Sequence, residues 1–217
     1  MIRIARSKGA LAVAGALLLT TTACLRAPEP GLARGRSLYD NCQPCHGAAG
    51  AGNQPLGAPA IGGLPQWYVE AQLHNFKAAR RGYAPHDTAG IRMKSMAWTL
   101  RDSADVASVA QYVASLPAPS ASPVLSGNTA AGQATFQLCL ACHGADAAGT
   151  PELHAPPLAG RSDWYLLSQL HKFRAGWRGT DTADMWGQTM RANALTMDDT
   201  TMVNVLAYIQ TLRQASR

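Results

Sequence analysis

No segment of this 217-residue chain alternates apolar and polar residues over the roughly four to eight positions that mark a half-buried strand, so a sheet protein is excluded. Past residue 23 no apolar run approaches the ~20 residues needed to cross a bilayer, which leaves no candidate membrane span in the body of the chain. Charged residues make up only 15% of the chain and aromatics 6%. There is no basic run and no aromatic series interleaved with one, so neither the phosphate contacts nor the stacking platform of a nucleic-acid binder is present. Cysteine is scarce too: there are five, and four of them stand in two short motifs.

Those motifs are Cys42-Gln-Pro-Cys45-His46 and Cys139-Leu-Ala-Cys142-His143, 97 residues apart. A structural zinc site would pair two CxxC units, and a thioredoxin-like site would need a βαβ context that is absent here. A histidine directly after each CxxC instead fits covalent c-type haem: two thiols add across the vinyl groups, and the histidine becomes the proximal iron ligand. Two haems are therefore expected, one bound by Cys42, Cys45 and His46 and the other by Cys139, Cys142 and His143. The length suits one or two domains, and a unit of about 100 residues has a marginal apolar core, so each haem would complete the core of its own half.

The first 23 residues read as a signal peptide, with Arg3, Arg6 and Lys8 ahead of the apolar run Ala10 to Leu19 and then Thr-Thr-Thr-Ala. Removing it takes three positive charges, leaving 16 Lys and Arg against 13 Asp and Glu, so the pI of 9.3 overstates the basicity. The fifth cysteine, Cys24, follows Thr21-Thr22-Ala23 in a position that resembles a bacterial lipobox, although Thr21 stands where Leu, Val or Ile is usual. Lipidation of Cys24 would tether the mature protein to the periplasmic face of a membrane. An ordinary leader would release a soluble periplasmic protein carrying a spare thiol.

Shifted by 97 residues, the chain superimposes on itself without a gap, Gly35 to Asp102 on Gly132 to Asp199. The register pairs Pro59 with Pro156, Trp67-Tyr68 with Trp164-Tyr165, Gln72-Leu73-His74 with Gln169-Leu170-His171, and Arg81-Gly82 with Arg178-Gly179. Two tandem domains follow, over 31–116 and 129–217, joined by a Pro/Ser-rich linker at 117–128 that should be extended and moderately stiff. Each is helical. Val106, Val109, Ala110 and Val113 share one face of a closing helix, as do Met202, Val205, Leu206 and Ile209. Asp102 or Ser103, and Asp198 or Asp199, are the expected N-caps, with shorter helices over about 31–41 and 66–79.

The sixth iron ligand must come from well beyond each CxxCH. Met93 and Met190 both lie 47 residues after their haem histidines. The local rival Met96 pairs with Asn193, Met197 with Leu100, and Met185 with Thr88, so one register alone supplies sulfur to both halves. His74 and His171 also coincide, which makes bis-histidine ligation the alternative. Arg81 and Arg178 could pair with haem propionates or cap a solvated helix end. Pro59 and Pro156 could offer a carbonyl to the second ring nitrogen of the haem histidine, or serve as turn residues.

Taken together, the Gly-xxx-aromatic opening helix (Gly35 and Tyr39, Gly132 and Phe136), the CxxCH, the Pro-containing loop, the Trp-Tyr helix with Gln-Leu, the methionine and the closing helix resemble the diheme class I cytochromes c of the cytochrome c4 type. The resemblance implies an all-α protein of two tandem haem domains in the periplasm. It would be an electron carrier rather than an enzyme, passing electrons between respiratory-chain partners and delivering them to a terminal oxidase or reductase. The alternative is an electron-accepting cytochrome subunit of a dehydrogenase or oxidase complex. Neither reading involves a small-molecule substrate.

Overall fold

The computed structural model describes residues 29–119 and 122–215. The leader and Cys24 lie outside the described residues. Among the described residues ten α-helices form two matching sets of five: α1 (Leu32–Tyr39), α2 (Gln43–His46), α3 (Gln66–Lys77), α4 (Thr88–Trp98) and α5 (Ser103–Ser115), then α6 (Thr129–Phe136), α7 (Leu140–His143), α8 (Asp163–Arg174), α9 (Met185–Ala194) and α10 (Asp199–Ala215). Among the described residues there is no strand, only isolated bridges that close the loop after each CxxCH, Asn53 to Ala58 and Thr150 to Ala155. No described helix is long and apolar enough to cross a membrane.

Each half is built on a crossing of its first and last helices. On α5, Val106, Val109, Ala110 and Val113 are buried, and on α10 so are Met202, Val205, Leu206 and Ile209. Asp102 caps α5 by accepting the Asp105 amide at 2.9 Å, while Asp198 caps α10 by accepting the Thr201 amide at 2.7 Å. Asp102 pairs with Asp199 in the 97-residue register, so the second closing helix begins one residue early, and from there the halves correspond at 96 residues. The crossing itself needs two glycines. A Cβ on Gly35 would lie 2.0 Å from the Ser108 carbonyl oxygen, and one on Gly132 would lie 2.0 Å from that of Asn204. Their absence brings Tyr39 against Tyr112 and Phe136 against Tyr208, with ring centroids 5.3 and 5.5 Å apart.

The first half adds an ionic brace across the same crossing. Asp105, buried on α5, meets Arg101 at 2.9 Å and Arg34 of α1 at 3.0 Å. The hydrogen bond from Arg101, followed by contacts with its own backbone and Arg34, holds the Asp105 carboxyl well below the usual carboxylate range. A carboxyl depressed on folding stabilises the native state above its unfolded pKa of about 3.9 and loses that contribution as the pH falls through the folded value. Stability measured by denaturant titration should therefore decline as the pH drops below about 4. Asp105→Asn should flatten that decline and cost about 1–3 kcal/mol at neutral pH, since it leaves Arg34 without its charged partner. An unchanged acid slope in the variant would show that Asp105 is not the responsible group.

The two halves meet through α3 and α8. The Gln72 side-chain oxygen accepts from Arg81 at 2.6 Å and from Arg178 at 3.1 Å, while that of Gln169 accepts from Arg178 at 2.8 Å and from Arg81 at 3.0 Å. This crossed square is repeat-symmetric. Less symmetric contacts surround it: Lys172 pairs with buried Asp87 at 2.7 Å, the Tyr83 hydroxyl donates to the Gly176 carbonyl, and Arg161 donates to the Gly62 carbonyl at 3.2 Å. The linker is fastened to the second half, because the Val124 and Leu125 amides both donate to the Asp163 carboxylate at 2.8 Å.

Candidate haem sites

Each CxxCH forms one short helical turn, α2 or α7, with the first cysteine at its N-cap and the histidine as its last residue. One turn brings both thiols onto the rim of the half and turns the imidazole inward. His46 and His143 are each 5% exposed. The Nδ1 of His46 lies 2.9 Å from the Pro59 carbonyl oxygen, and that of His143 lies 2.9 Å from the Pro156 carbonyl oxygen. A carbonyl accepts only, so Nδ1 carries the proton and Nε2 keeps a free lone pair for a metal. Burial lowers the pKa of both rings against the opposing pull of the proline carbonyl, which favours the neutral, ligating form.

The four motif cysteines are free of disulfides. Burial, with a smaller push from Cys45, raises the Cys42 thiol to about 11, and burial likewise raises Cys139. No cluster of three or more His, Cys, Asp or Glu suited to a metal ion occurs among the described residues.

Met93 is the sixth residue of α4 and Met190 the sixth of α9. Both are half-buried, and Met190 packs against the second core cluster. Neither methionine falls in a helix expected from the sequence, and like the short CxxCH turns α2 and α7, the helices α4 and α9 are additions that the structure makes. Each starts at an aspartate that accepts an amide of the first turn, Asp87 from Gly90 at 2.8 Å and Asp184 from Gly187 at 3.1 Å. The Asp-x-x-Gly spacing common to both halves was the available signal. His74 is exposed, and His171 faces Asp199 at 3.2 Å.

Arg81 and Arg178 are not at solvated helix ends. They are 5% and 6% exposed, and their guanidinium carbons sit 4.3 and 4.2 Å from the ring centroids of Phe76 and Phe173. Their hydrogen-bond partners are the neutral glutamines of the crossed square together with the Tyr68 hydroxyl for Arg178 and the Tyr165 hydroxyl for Arg81, and the Arg178 Nε is buried without a hydrogen-bond acceptor. Burial, then the neighbouring Arg81, pulls the Arg178 pKa down to about 10. Two desolvated cations with no carboxylate hydrogen-bonded to them suit an anionic group between the halves, and haem propionates have that charge.

A cytochrome c family model matches residues 32–117 and again 129–213, and the chain belongs to the cytochrome c family. It is a diheme member, with two covalently bound haem c groups. Over 201 residues, 88% of this chain and 83% of the relative, it is 32% identical to the thiosulfate dehydrogenase electron acceptor of Thiomonas intermedia. Among solved structures it resembles the thiosulfate dehydrogenase TsdBA of Marichromatium purpuratum, with a TM-score of 0.68 and 30% identity. That match covers 83% of this chain but 40% of the other. It also resembles reduced cytochrome c4 of Pseudomonas stutzeri, with a TM-score of 0.66, 26% identity, and coverage of 82% and 97% of the two chains.

Proposed function

We propose that this diheme cytochrome accepts electrons from a periplasmic thiosulfate-oxidising dehydrogenase and passes them to a terminal oxidase or reductase. Bound haem supplies one reversible electron per iron, two per chain. The observation that carries the reading is the duplicated CxxCH, each with a buried histidine held 2.9 Å from a proline carbonyl, on halves joined by a repeat-symmetric contact. In this reading each histidine is oriented by its proline carbonyl, each methionine is the sixth ligand, and Arg81 and Arg178 neutralise propionates between the halves. Closed coordination suits electron transfer and leaves no position for a substrate. The extent of the match to a thiosulfate dehydrogenase electron acceptor favours that class of donor.

The test is direct. A purified thiosulfate dehydrogenase supplied with thiosulfate should reduce both haems of the oxidised protein, read as growth of the sharp reduced absorption band. A protein that dithionite reduces fully but the dehydrogenase and thiosulfate do not would remove this donor from the reading while leaving the electron carrier intact.

Cys24 belongs to the same proposal as the membrane anchor. A diacylated N-terminal cysteine meets the requirement of more than one acyl chain for stable anchoring, and it would hold both haem halves within reach of an integral oxidase. Cys24→Ala should move an otherwise intact diheme protein from the membrane fraction to the soluble periplasm. Recovery of the wild type as a soluble protein with an unmodified N-terminus would refute the anchor.

A further inference from the structure

The two halves differ where the loop after the CxxCH meets the helix that carries the methionine. In the first half this joint is a single exposed hydrogen bond: Arg92 of α4 donates to the Leu56 carbonyl at 2.6 Å, and beside it lie Gly57 and Ala89. In the second half the corresponding residues are Thr189, Leu153, His154 and Trp186. The His154 ring stacks on Trp186 with centroids 5.1 Å apart and planes at 18°, and Trp67 of the first half meets the same imidazole edge-on at 5.8 Å and 84°. Three rings thus join α3 of the first half, the second loop, and α9.

His154 holds a costly backbone position to do so. Its φ is 49°, in the left-handed region, where its counterpart is Gly57 at 64°. A non-glycine residue there is strained, and such strain persists where the side chain has a use. His154 lies two residues before Pro156, whose carbonyl orients His143, and Trp186 lies one turn before Met190 on the same side of α9. Trp164, the counterpart of Trp67, has no such stack to meet. It borders a cavity of about 260 Å3 lined by small residues that include Ala51, Gly52, Ala58 and Ala60.

We infer that His154 is a positioning residue for the second haem site: stacked on Trp186 and braced by Trp67, it ties the loop that orients His143 to the helix that carries Met190. This rests on Met190 as the sixth ligand. The first site has the solvent-exposed Arg92 bond in this place, so the two sites, matched in ligands, differ in how the methionine helix is joined to the loop that follows the CxxCH.

The experiment reads the weak sulfur-to-iron absorption at the red edge of the visible spectrum on warming. In a Met93→Ala background the band belongs to Met190 alone, and in a Met190→Ala background to Met93 alone. His154→Gly keeps the backbone conformation and deletes the ring. It should make the Met190 band fade at a lower temperature than in the parent, ahead of the loss of helical circular dichroism, because the change loosens the joint and not the helices. The Met93 band should not move, nor should the loss of helical circular dichroism. Trp67→Ala, a change outside the second half altogether, should act in the same direction, and Trp67→Phe should restore most of the shift. Trp164→Ala should leave both bands in place. Equal shifts of both bands, or an unmoved Met190 band in both His154→Gly and Trp67→Ala, would overturn the inference. A full-strength band in Met190→Ala would show that the ligand reading itself is wrong, and the inference would fall with it.

Discussion

Met93→Ala and Met190→Ala should each abolish about half of the sulfur-to-iron absorption and lower the potential of one haem by something on the order of 100 mV or more, given that axial ligation spans about 0.8 V across haem proteins. For a one-electron couple 59 mV is a tenfold change, so a drop of 100 mV makes that haem about 50-fold less favourable as an electron acceptor. The two halves should respond separately, because each methionine stands on its own helix, α4 or α9. Met96, three residues further along α4 and also half-buried, is the internal control, and Met96→Ala should leave both band and potential in place. A band lost in Met96→Ala and kept in Met93→Ala would assign the first sulfur wrongly. A haem whose potential stays put without its methionine would show that the sulfur is not a ligand at all.

Much of this architecture was legible because the chain contains two copies of one solution. A single methionine in a helix is usually core packing; two at the same distance from two haem histidines are much harder to explain that way. The closing helices and their aspartate caps were readable from apolar spacing and from the short polar side chains ahead of it. Two features were not. The crossed contacts of Arg81 and Arg178 with Gln72 and Gln169 lie between the halves, and helical periodicity reports only which face of an element is apolar, never which other element it meets. The repeat did preserve all four residues, so the signal existed, but nothing local distinguished an arginine at a solvated helix end from one buried over Phe76 or Phe173. The stack of Trp67, His154 and Trp186 was hidden for the opposite reason. It depends on residues at which the halves differ, Gly57 against His154 and Ala89 against Trp186, and a reading guided by identities passes over the differences.

Gly35→Ala and Gly132→Ala should be among the most damaging single-methyl changes in the protein. The added carbon would fall 2.0 Å from a backbone carbonyl oxygen of the closing helix, and beyond that oxygen stands the Cβ of Tyr112 or Tyr208. Backbone in the middle of a capped, buried helix cannot rotate away as a flexible side chain can, so α1 must retreat from α5, or α6 from α10. Overpacking of a tight core costs about 1–3 kcal/mol and occasionally more. A contact with main chain on one side and an aromatic pair on the other belongs at the upper end. At roughly 4–8 °C per kcal/mol for a domain of this size, about 3 kcal/mol lowers the melting temperature of the affected half by about 12–24 °C. The first half should suffer more, because the Tyr39 hydroxyl also donates to the Gly47 carbonyl at 2.7 Å and so fastens α1 to the residue that follows His46. Phe136 has no hydroxyl to make the matching bond. Calorimetry of the two holo variants should therefore show Gly35→Ala melting below Gly132→Ala, and both well below the wild type. A loss of under about 5 °C in either variant would mean that the helices slide apart at little cost, and that the glycine is not what sets their separation.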